Sequence, residues 1–330
     1  MTNSFRFKTL IFFILISFYF SSCIKEDTGH WDVNHPDDSF FSSVIINDIY
    51  FDDIGHAWVG TDSGLYLLED EEIISSFTTS NGLPSNFITS IIQDSHGHIW
   101  IGTRKSGVAF RKGGEWFTVT TDDGLADNHI SCFYLRDNGD LWIGTDDAVS
   151  VYIAGTWLKY RIVNGKWNHY PSAIKSDGDG NIWVTLEWIS GINVYDGIDW
   201  IHYGTNIGLP TDYFTSASYG LGKMWLGTNA FGVISFDGVT WENYTIDDGL
   251  INDHVSYVFC DSHGSLWVGT NNGLSKYDGK TWSSFTSNNS GIPGNRINVI
   301  NEDNQGRIWI GTNNGIGIYS EEERGILFFP

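Results

Sequence analysis

A tetrapeptide of the form Trp-aliphatic-Gly-Thr recurs along this chain, at Trp58–Thr61, Trp100–Thr103, Trp142–Thr145, Trp225–Thr228, Trp267–Thr270 and Trp309–Thr312. An altered copy, Trp183-Val184-Thr185-Leu186, fills the gap in the series. The copies stand about 42 residues apart, and self-similarity at that period marks an array of four-stranded propeller blades. The second copy shows what one period holds. Ile88–Gln93 is an apolar run ended by Asp94-Ser95-His96-Gly97; His98–Gly102 carries the tryptophan; Val108–Arg111 and Trp116–Thr120 follow, divided by Gly113-Gly114. Short runs rich in Ile, Val, Phe and Trp, bounded by Gly, Asp, Asn or Ser, are strand signals. Apart from the N-terminal segment, no window places apolar residues at helical spacing.

A lone four-stranded sheet cannot bury two apolar faces, whereas a ring of such sheets can. The expected fold is therefore all-β, a seven-bladed β-propeller of four-stranded antiparallel blades over residues 44–330, with each repeated tryptophan a wedge between blades. The last outer strand is cut short at Arg324–Pro330. No N-terminal strand obviously completes that blade, so the ring is expected to close by packing the first blade on the seventh, with Phe40-Phe41 the candidate for an added edge strand.

These repeats carry a family resemblance. Phe-Thr-x-x-x-Gly-Leu-Pro-x-Asn-x-Ile (Phe77 to Ile88), followed by Asp-Ser-His-Gly-His-Ile-Trp-Ile-Gly-Thr (Asp94 to Thr103), resembles the two-component-regulator propeller repeat. The resemblance implies an extracytoplasmic, ligand-sensing propeller of the kind carried by bacterial hybrid sensor kinases. The sequence as it stands shows no second hydrophobic span, no Gly-x-x-x-x-Gly-Lys motif and no kinase-sized segment, so a signal is expected to pass through a membrane signalling or uptake partner.

Arg6 and Lys8 precede an apolar run from Leu10 to Phe20. About eleven residues are too few to span a bilayer and fit the apolar region of a signal peptide. Ser21-Ser22-Cys23 resembles a bacterial lipobox, which implies a signal peptide at 1–22, a lipidated Cys23, and a linker at 23–43 anchoring the protein in the outer membrane; Lys25-Glu26-Asp27 resembles a surface-export signal. The other cysteines, Cys132 and Cys260, fall at non-equivalent places in the third and sixth blades and read as unpaired buried thiols.

With 18 basic and 40 acidic residues the formal charge is −22. Such a surface repels nucleic acid, which is excluded as a partner. Asp177-Gly178-Asp179-Gly180-Asn181 has oxygen ligands at alternate places, but Ile182 and Trp188 stand where an EF-hand loop needs Gly and Glu, so the segment reads as a hairpin turn. The ten histidines show no tight ligand spacing; His96 and His263 occupy equivalent turns, and His129 and His254 equivalent inter-blade loops, as scaffold residues would. No Gly-x-Ser-x-Gly elbow is present. No cofactor or metal is expected.

Strands alternate in direction, so each inter-blade loop shares one end of the ring with the loops joining second and third strands. Ligands are expected at that mouth. Five inter-blade loops keep the form Gly-Leu/Ile-x-x-Asn/Asp, whereas the loop before the fourth blade reads Gly165-Lys166-Trp167-Asn168-His169-Tyr170-Pro171, and the same blade continues its altered tetrapeptide as Leu186-Glu187-Trp188-Ile189-Ser190. Trp167, His169, Tyr170, Glu187 and Trp188 are the candidate ligand-binding residues. Arg104 and Lys105 of the second blade would hold a carboxylate of an acidic glycan, or pair with Asp146 and Asp147; Phe231 of the fifth would extend the aromatic wall. Aromatic faces beside hydrogen-bonding groups suit an oligosaccharide or other small extracellular molecule. The reading is a non-catalytic binding propeller. The alternatives are a streptogramin-lyase-like enzyme built on Glu187 and His169, and an adhesive scaffold.

Overall fold

The computed structural model describes residues 29–32, 41, 43–161, 170–188 and 191–321. Among these, 28 strands form seven four-stranded antiparallel sheets. The first strands of blades 1 to 7 are Ile46–Phe51, Ile88–Gln93, Ile130–Leu135, Pro171–Ser176, Phe214–Gly220, Val255–Cys260 and Ile297–Glu302. Each packs against the first strand of the next blade, and the seventh packs against the first, so the sheets close into a ring. The seven-bladed expectation holds.

The wedge role of the tryptophans holds as well. Trp58 lies in a cluster with Ile88, Ile91 and Ile101 of blade 2, and Trp309 in one with Ile46 and Ile49 of blade 1. All seven are at most 3 % exposed. Burying one such ring, roughly 200 Å² at ~25 cal/mol/Å², contributes on the order of 5 kcal/mol before conformational entropy is counted.

Ring closure differs from the expectation. Gly29–Asp32, assigned above to the linker, is the fourth strand of blade 7 and pairs antiparallel with Gly315–Glu321. The propeller thus begins at Gly29 rather than at 44. Trp31 lies opposite Tyr319 and makes edge contacts with Tyr319 and Phe285. The same cross-strand aromatic pair closes other blades, as Trp282 with Tyr277 and Trp241 with Phe236. Phe41 joins no strand; it is a buried plug against Tyr66. Phe40 and 322–330 lie outside the described residues.

Each first strand carries a bulge after its first residue. In five blades the bulged residue reaches across to the neighbouring blade, whereas Thr89 Oγ1 is buried without a partner and Ser131 Oγ turns to Cys132 Sγ. Asn47 Nδ2 donates to the Ile88 carbonyl at 2.8 Å, Thr215 Oγ1 to that of Val255 at 2.8 Å, and Asn298 Nδ2 to that of Ile46 at 3.0 Å. The repeated Gly of the tetrapeptide makes this approach possible: a Cβ on Gly102 would fall 2.5 Å from Ile130 Cγ2. The Thr seals the far end, Thr103 Oγ1 donating to the Gly107 carbonyl at 2.7 Å.

The hairpin aspartate is the hub of most blades. Asp94 Oδ1 accepts from the His96 and His98 amides and Oδ2 from Trp100 Nε1 at 2.8 Å. Asp177 does the same for Asp179, Asn181 and Trp183, so both its oxygens are committed to the turn, as expected. Blade 3 has Arg136 at this place, and the Trp142 indole N–H is buried without an acceptor. Converting the turn to that of blade 4 (Arg136→Asp with Asp140→Asn) should supply the acceptor and stabilise the protein by about 1–2 kcal/mol, read as a higher urea midpoint. An unchanged midpoint would count against the hub role.

Asp48, Cys132, Lys175 and Tyr257 come from blades 1, 3, 4 and 6, yet Asp48 is coupled electrostatically to Lys175 and Tyr257, and Cys132 to Tyr257. Groups of non-adjacent blades meet only on the ring axis. Burial there pushes the Asp48 carboxyl up to about 7 against the amides of Ile91 and Ile49 and the Lys175 charge. Burial also pushes the Cys132 thiol up to about 11 and that of Cys260 to about 12; both cysteines are unpaired. A carboxyl with a raised folded pKa makes the native state the better proton binder, so its stabilising contribution is complete below the ordinary carboxylate range and is lost as pH rises through about 7. Ser90 and Ser216 fill the same place in blades 2 and 5. Asp48→Ser should flatten the fall in urea midpoint between pH 5 and 8. Parallel profiles for the two proteins would refute it.

Candidate functional site

The inter-blade loops explain their own signature. In Thr78–Gly82 a 3-10 turn, Thr79–Asn81, is capped by Thr78 and ends at Gly82, whose φ of 116° is the left-handed conformation that favours glycine. Leu83 then buries beneath the turn, and Asn86 Oδ1 accepts the Thr79 amide at 2.7 Å. Gly124, Leu125 and Asn128 repeat the arrangement before blade 3. The corresponding loop before blade 4 spans 162–169, which with 189–190 lies outside the described residues; Trp167 and His169 fall there.

Five of the other six candidates converge. An open cleft of about 630 Å³ is lined by Arg104 and Lys105 of blade 2, Asp127, Asn128, His129, Ser131 and Asp146 of blade 3, and Tyr170, Glu187 and Trp188 of blade 4. Each comes from the end of the ring where inter-blade loops meet second-to-third-strand loops, save Ser131 on the first strand just inside. The departures at the two edges of blade 4 meet directly, since the Glu187 amide donates to the Tyr170 carbonyl at 3.0 Å. Phe231 does not line the cleft. It sits one blade further round, 44 % exposed, with its amide bound to Thr228 Oγ1.

The cleft has a cationic side and an acid–base side. Arg104 lies over the Phe87 ring at 5.2 Å, which fixes the guanidinium without neutralising it. Neither it nor Lys105 takes the expected ion pair: Asp146 is held by His129, and Asp147 by Arg161 at 2.8 Å. Asp146 is in close contact with His129 Nδ1, and the His129 ring packs edge-on against Tyr170. Burial raises the Glu187 carboxyl, opposed by the His129 charge and reinforced by Asp146; burial likewise raises Asp146, opposed by His129. Trp188 closes the cleft, 58 % exposed and stacked on Tyr213 at 6.1 Å and 9°. Its φ of 70° is unusual for a bulky side chain and costs about 1–2 kcal/mol. The glycine that closes the neighbouring loops, Gly107 at φ 74° and Gly232 at φ 72°, is kept here as Gly191 at φ 69°, so the positive φ of Trp188 is an addition of this loop.

His129 and Asp146 were read in the sequence as scaffold and as a partner for Arg104, and Tyr213 was not singled out. The one signal that could have found the pair is that the loop of blade 6 holds His254 without a carboxylate at the place of Asp146, where Asn271 stands.

The family described as two component regulator propeller matches residues 82–105, 124–147, 249–272 and 291–314. Each match begins at the Gly of an inter-blade loop and runs through the Trp-x-Gly-Thr strand. A comparison with curated proteins finds no match. Among solved structures, the chain is similar to the extracellular domain described as that of a hybrid two component system from B. thetaiotaomicron, at 22 % identity and a TM-score of 0.75 over 90 % of this chain and 41 % of that one. It is similar to a streptogramin B lyase at 16 % identity and a TM-score of 0.68, covering 84 % of this chain and 93 % of the enzyme. PorZ, a surface component of the type-IX secretion system of Porphyromonas gingivalis, matches at 15 % identity and a TM-score of 0.64, over 84 % of this chain and 46 % of PorZ. The chain thus spans about two fifths of the sensor domain it resembles, and at such identities the likeness shows the fold alone. By the matched segments in four of its inter-blade loops and tetrapeptide strands, the chain carries the two component regulator propeller repeat.

Proposed function

We propose that this propeller is an exported, non-catalytic binding protein whose cleft over blades 2 to 4 takes an extracellular small molecule or oligosaccharide bearing a carboxylate, and that a membrane signalling or uptake partner reads the bound state. One observation carries the reading: Arg104, Lys105, Tyr170, Glu187 and Trp188, which depart from the chain's own repeat, gather around one cleft. Trp188 offers an aromatic face, Tyr170 a hydrogen-bonding group, and Arg104 with Lys105 the positive charge for an anion. Trp188 is held in a strained backbone conformation and stays open to solvent, which core packing would not require. Similarity to a sensor's extracellular domain supports export, and no described helix is long and apolar enough to cross a membrane. Lipidation at Cys23, which lies outside the described residues, would supply the anchor in the outer membrane.

Titration with uronate-containing and neutral oligosaccharides tests the cleft. Saturable binding of the acidic series is expected, weakened about tenfold or more in Trp188→Ala and in Arg104→Ala, each of which removes a contact of ~1–2 kcal/mol. Affinity should fall as pH rises, because ionisation of the elevated Glu187 and Asp146 carboxyls adds negative charge beside the anion; Glu187→Gln should reduce that slope. Equal, weak binding of both series by wild type and variants would overturn the reading.

The His129–Asp146 pair beside Glu187 favours a second reading, an enzyme of the lyase type. The pair expected from the sequence was Glu187 with His169; among the described residues His129 takes that place. Time-dependent product formation lost in His129→Ala and Glu187→Gln would select the enzyme over the binding protein. For the anchor, Cys23→Ala should release the protein from membranes; unchanged retention would refute lipidation.

A further inference from the structure

The opposite end of the ring holds a second constellation, independent of the cleft. Among the described residues, one group of three metal-ligating side chains comes together: Asp94, His96 and His98, each offering an atom within 4.8 Å of the others. They occupy the hairpin between the first two strands of blade 2, at the rim of a cavity of about 390 Å³ shared with blade 3. The sequence reading treats His96 as turn scaffold; the fold sets His98 and Asp94 beside it.

Comparison between the chain's own turns isolates what is special here. The hairpin aspartate recurs as Asp52, Asp177, Asp261 and Asp303, and in all five blades it accepts the indole N–H of the repeated tryptophan. The residue four places on commonly turns back to the same carboxylate. Asn181 Nδ2 reaches Asp177 at 2.9 Å, Arg307 Nε reaches Asp303 at 2.7 Å, and His98 Nδ1 lies 3.0 Å from Asp94 Oδ2. Asp94 accepts the His96 and His98 amides on Oδ1, and Trp100 with His98 on Oδ2, so its lone pairs are committed. It is a hydrogen-bond acceptor behind His98 rather than a free ligand.

That bond has a chemical consequence. With Nδ1–H donated to the carboxylate, the neutral His98 ring carries its lone pair on Nε2 in a fixed orientation, which is the outer-shell arrangement that metal-bound imidazoles use. Blade 1 has the equivalent His56 but Ile54 two places earlier, and blade 6 has His263 but Ser265 two places later. Blade 2 alone among these turns sets two imidazoles side by side, His96 and His98, with ring centroids 5.9 Å apart and planes at 17°. His96 is 77 % exposed at its side chain, so rotating it can close the separation to the roughly 3–4 Å that two nitrogens sharing an ion at ~2.1 Å require.

We propose that His96 and His98 form a surface binding site for a borderline transition-metal ion, Zn²⁺ or Cu²⁺, with Asp94 fixing the tautomer of His98 and water or an outside ligand completing the shell. Imidazole nitrogens select these ions over Ca²⁺ and Mg²⁺, which take oxygen donors.

The test is calorimetric titration of the chelator-treated full chain with Zn²⁺ at pH 7.5, with Ca²⁺ as comparison. One saturable Zn²⁺ site is expected, with no Ca²⁺ response at this hairpin, and the Trp100 indole N–H signal should shift on binding because its acceptor is Asp94. His96→Asn and His98→Ser introduce residues that the turns of blades 3 and 6 already hold, Asn138 and Ser265, so the fold is kept. Each should weaken Zn²⁺ binding at least tenfold with the urea midpoint little changed, whereas His263→Asn should not. No saturable site, or binding that survives both variants, overturns the proposal.

Discussion

A sheet with two apolar faces has no stable place except between two others, and that single constraint organises the molecule. Each hydrophobic cluster lies at a junction, joining the tryptophan of one blade to the first strands of the next. The ring is therefore only as sound as its last junction. Its last blade is completed by a strand distant in sequence: Gly29–Asp32 covers Gly315–Glu321 and places Trp31 against Tyr319 and against Phe285 of blade 6. Bulged residues on most first strands add side-chain bonds to neighbouring carbonyls, and Asn298 to Ile46 ties the last blade to the first in the same way.

The regular parts of each repeat are thereby consumed by structure. The tryptophan fills the junction, the aspartate satisfies its indole, the Gly clears room for the next strand and the Thr closes the loop. The acidic residues of the hairpins belong to the same economy of bonds, which is why Asp177 and its neighbours form a turn rather than a calcium loop. The sites proposed above lie where the repeat is broken. Blade 4 loses both Gly and Thr of its tetrapeptide, and its loop carries Glu187 and Trp188 into the cleft. Blade 2 breaks the pattern at its hairpin, where two histidines stand together.

The cleft combines groups that tolerate one another only because they are held apart by the scaffold. Arg104 is seated on Phe87, while Asp146 is occupied by His129, so cation and carboxylate face the same space without cancelling. The elevated Glu187 carboxyl adds a proton-holding group beside the His129 ring. The proposed carboxylate-bearing ligand would meet this charge beside the Trp188 face, and the proposed lyase-type alternative would use the same groups for acid–base chemistry.

The period of the tetrapeptide by itself determined the blade count, the four strands of each blade and the wedge role of the tryptophans, because these depend on local patterning repeated until it closes. It also determined that departures in blade 4 lie at one end of the ring, since alternating strands leave no other arrangement. It did not determine the closing strand. Gly29–Asp32 stands almost the whole chain away from its partner and looks like linker, although Trp31 repeats the place of Trp282. Nor did it separate Phe231 from Tyr170, because angular position around the ring, rather than place in the repeat, decides which loops share a cleft. The His129–Asp146 contact, the axial grouping around Asp48 and the paired rings of His96 and His98 were settled only in three dimensions, where distance across blades and side-chain orientation replace sequence spacing.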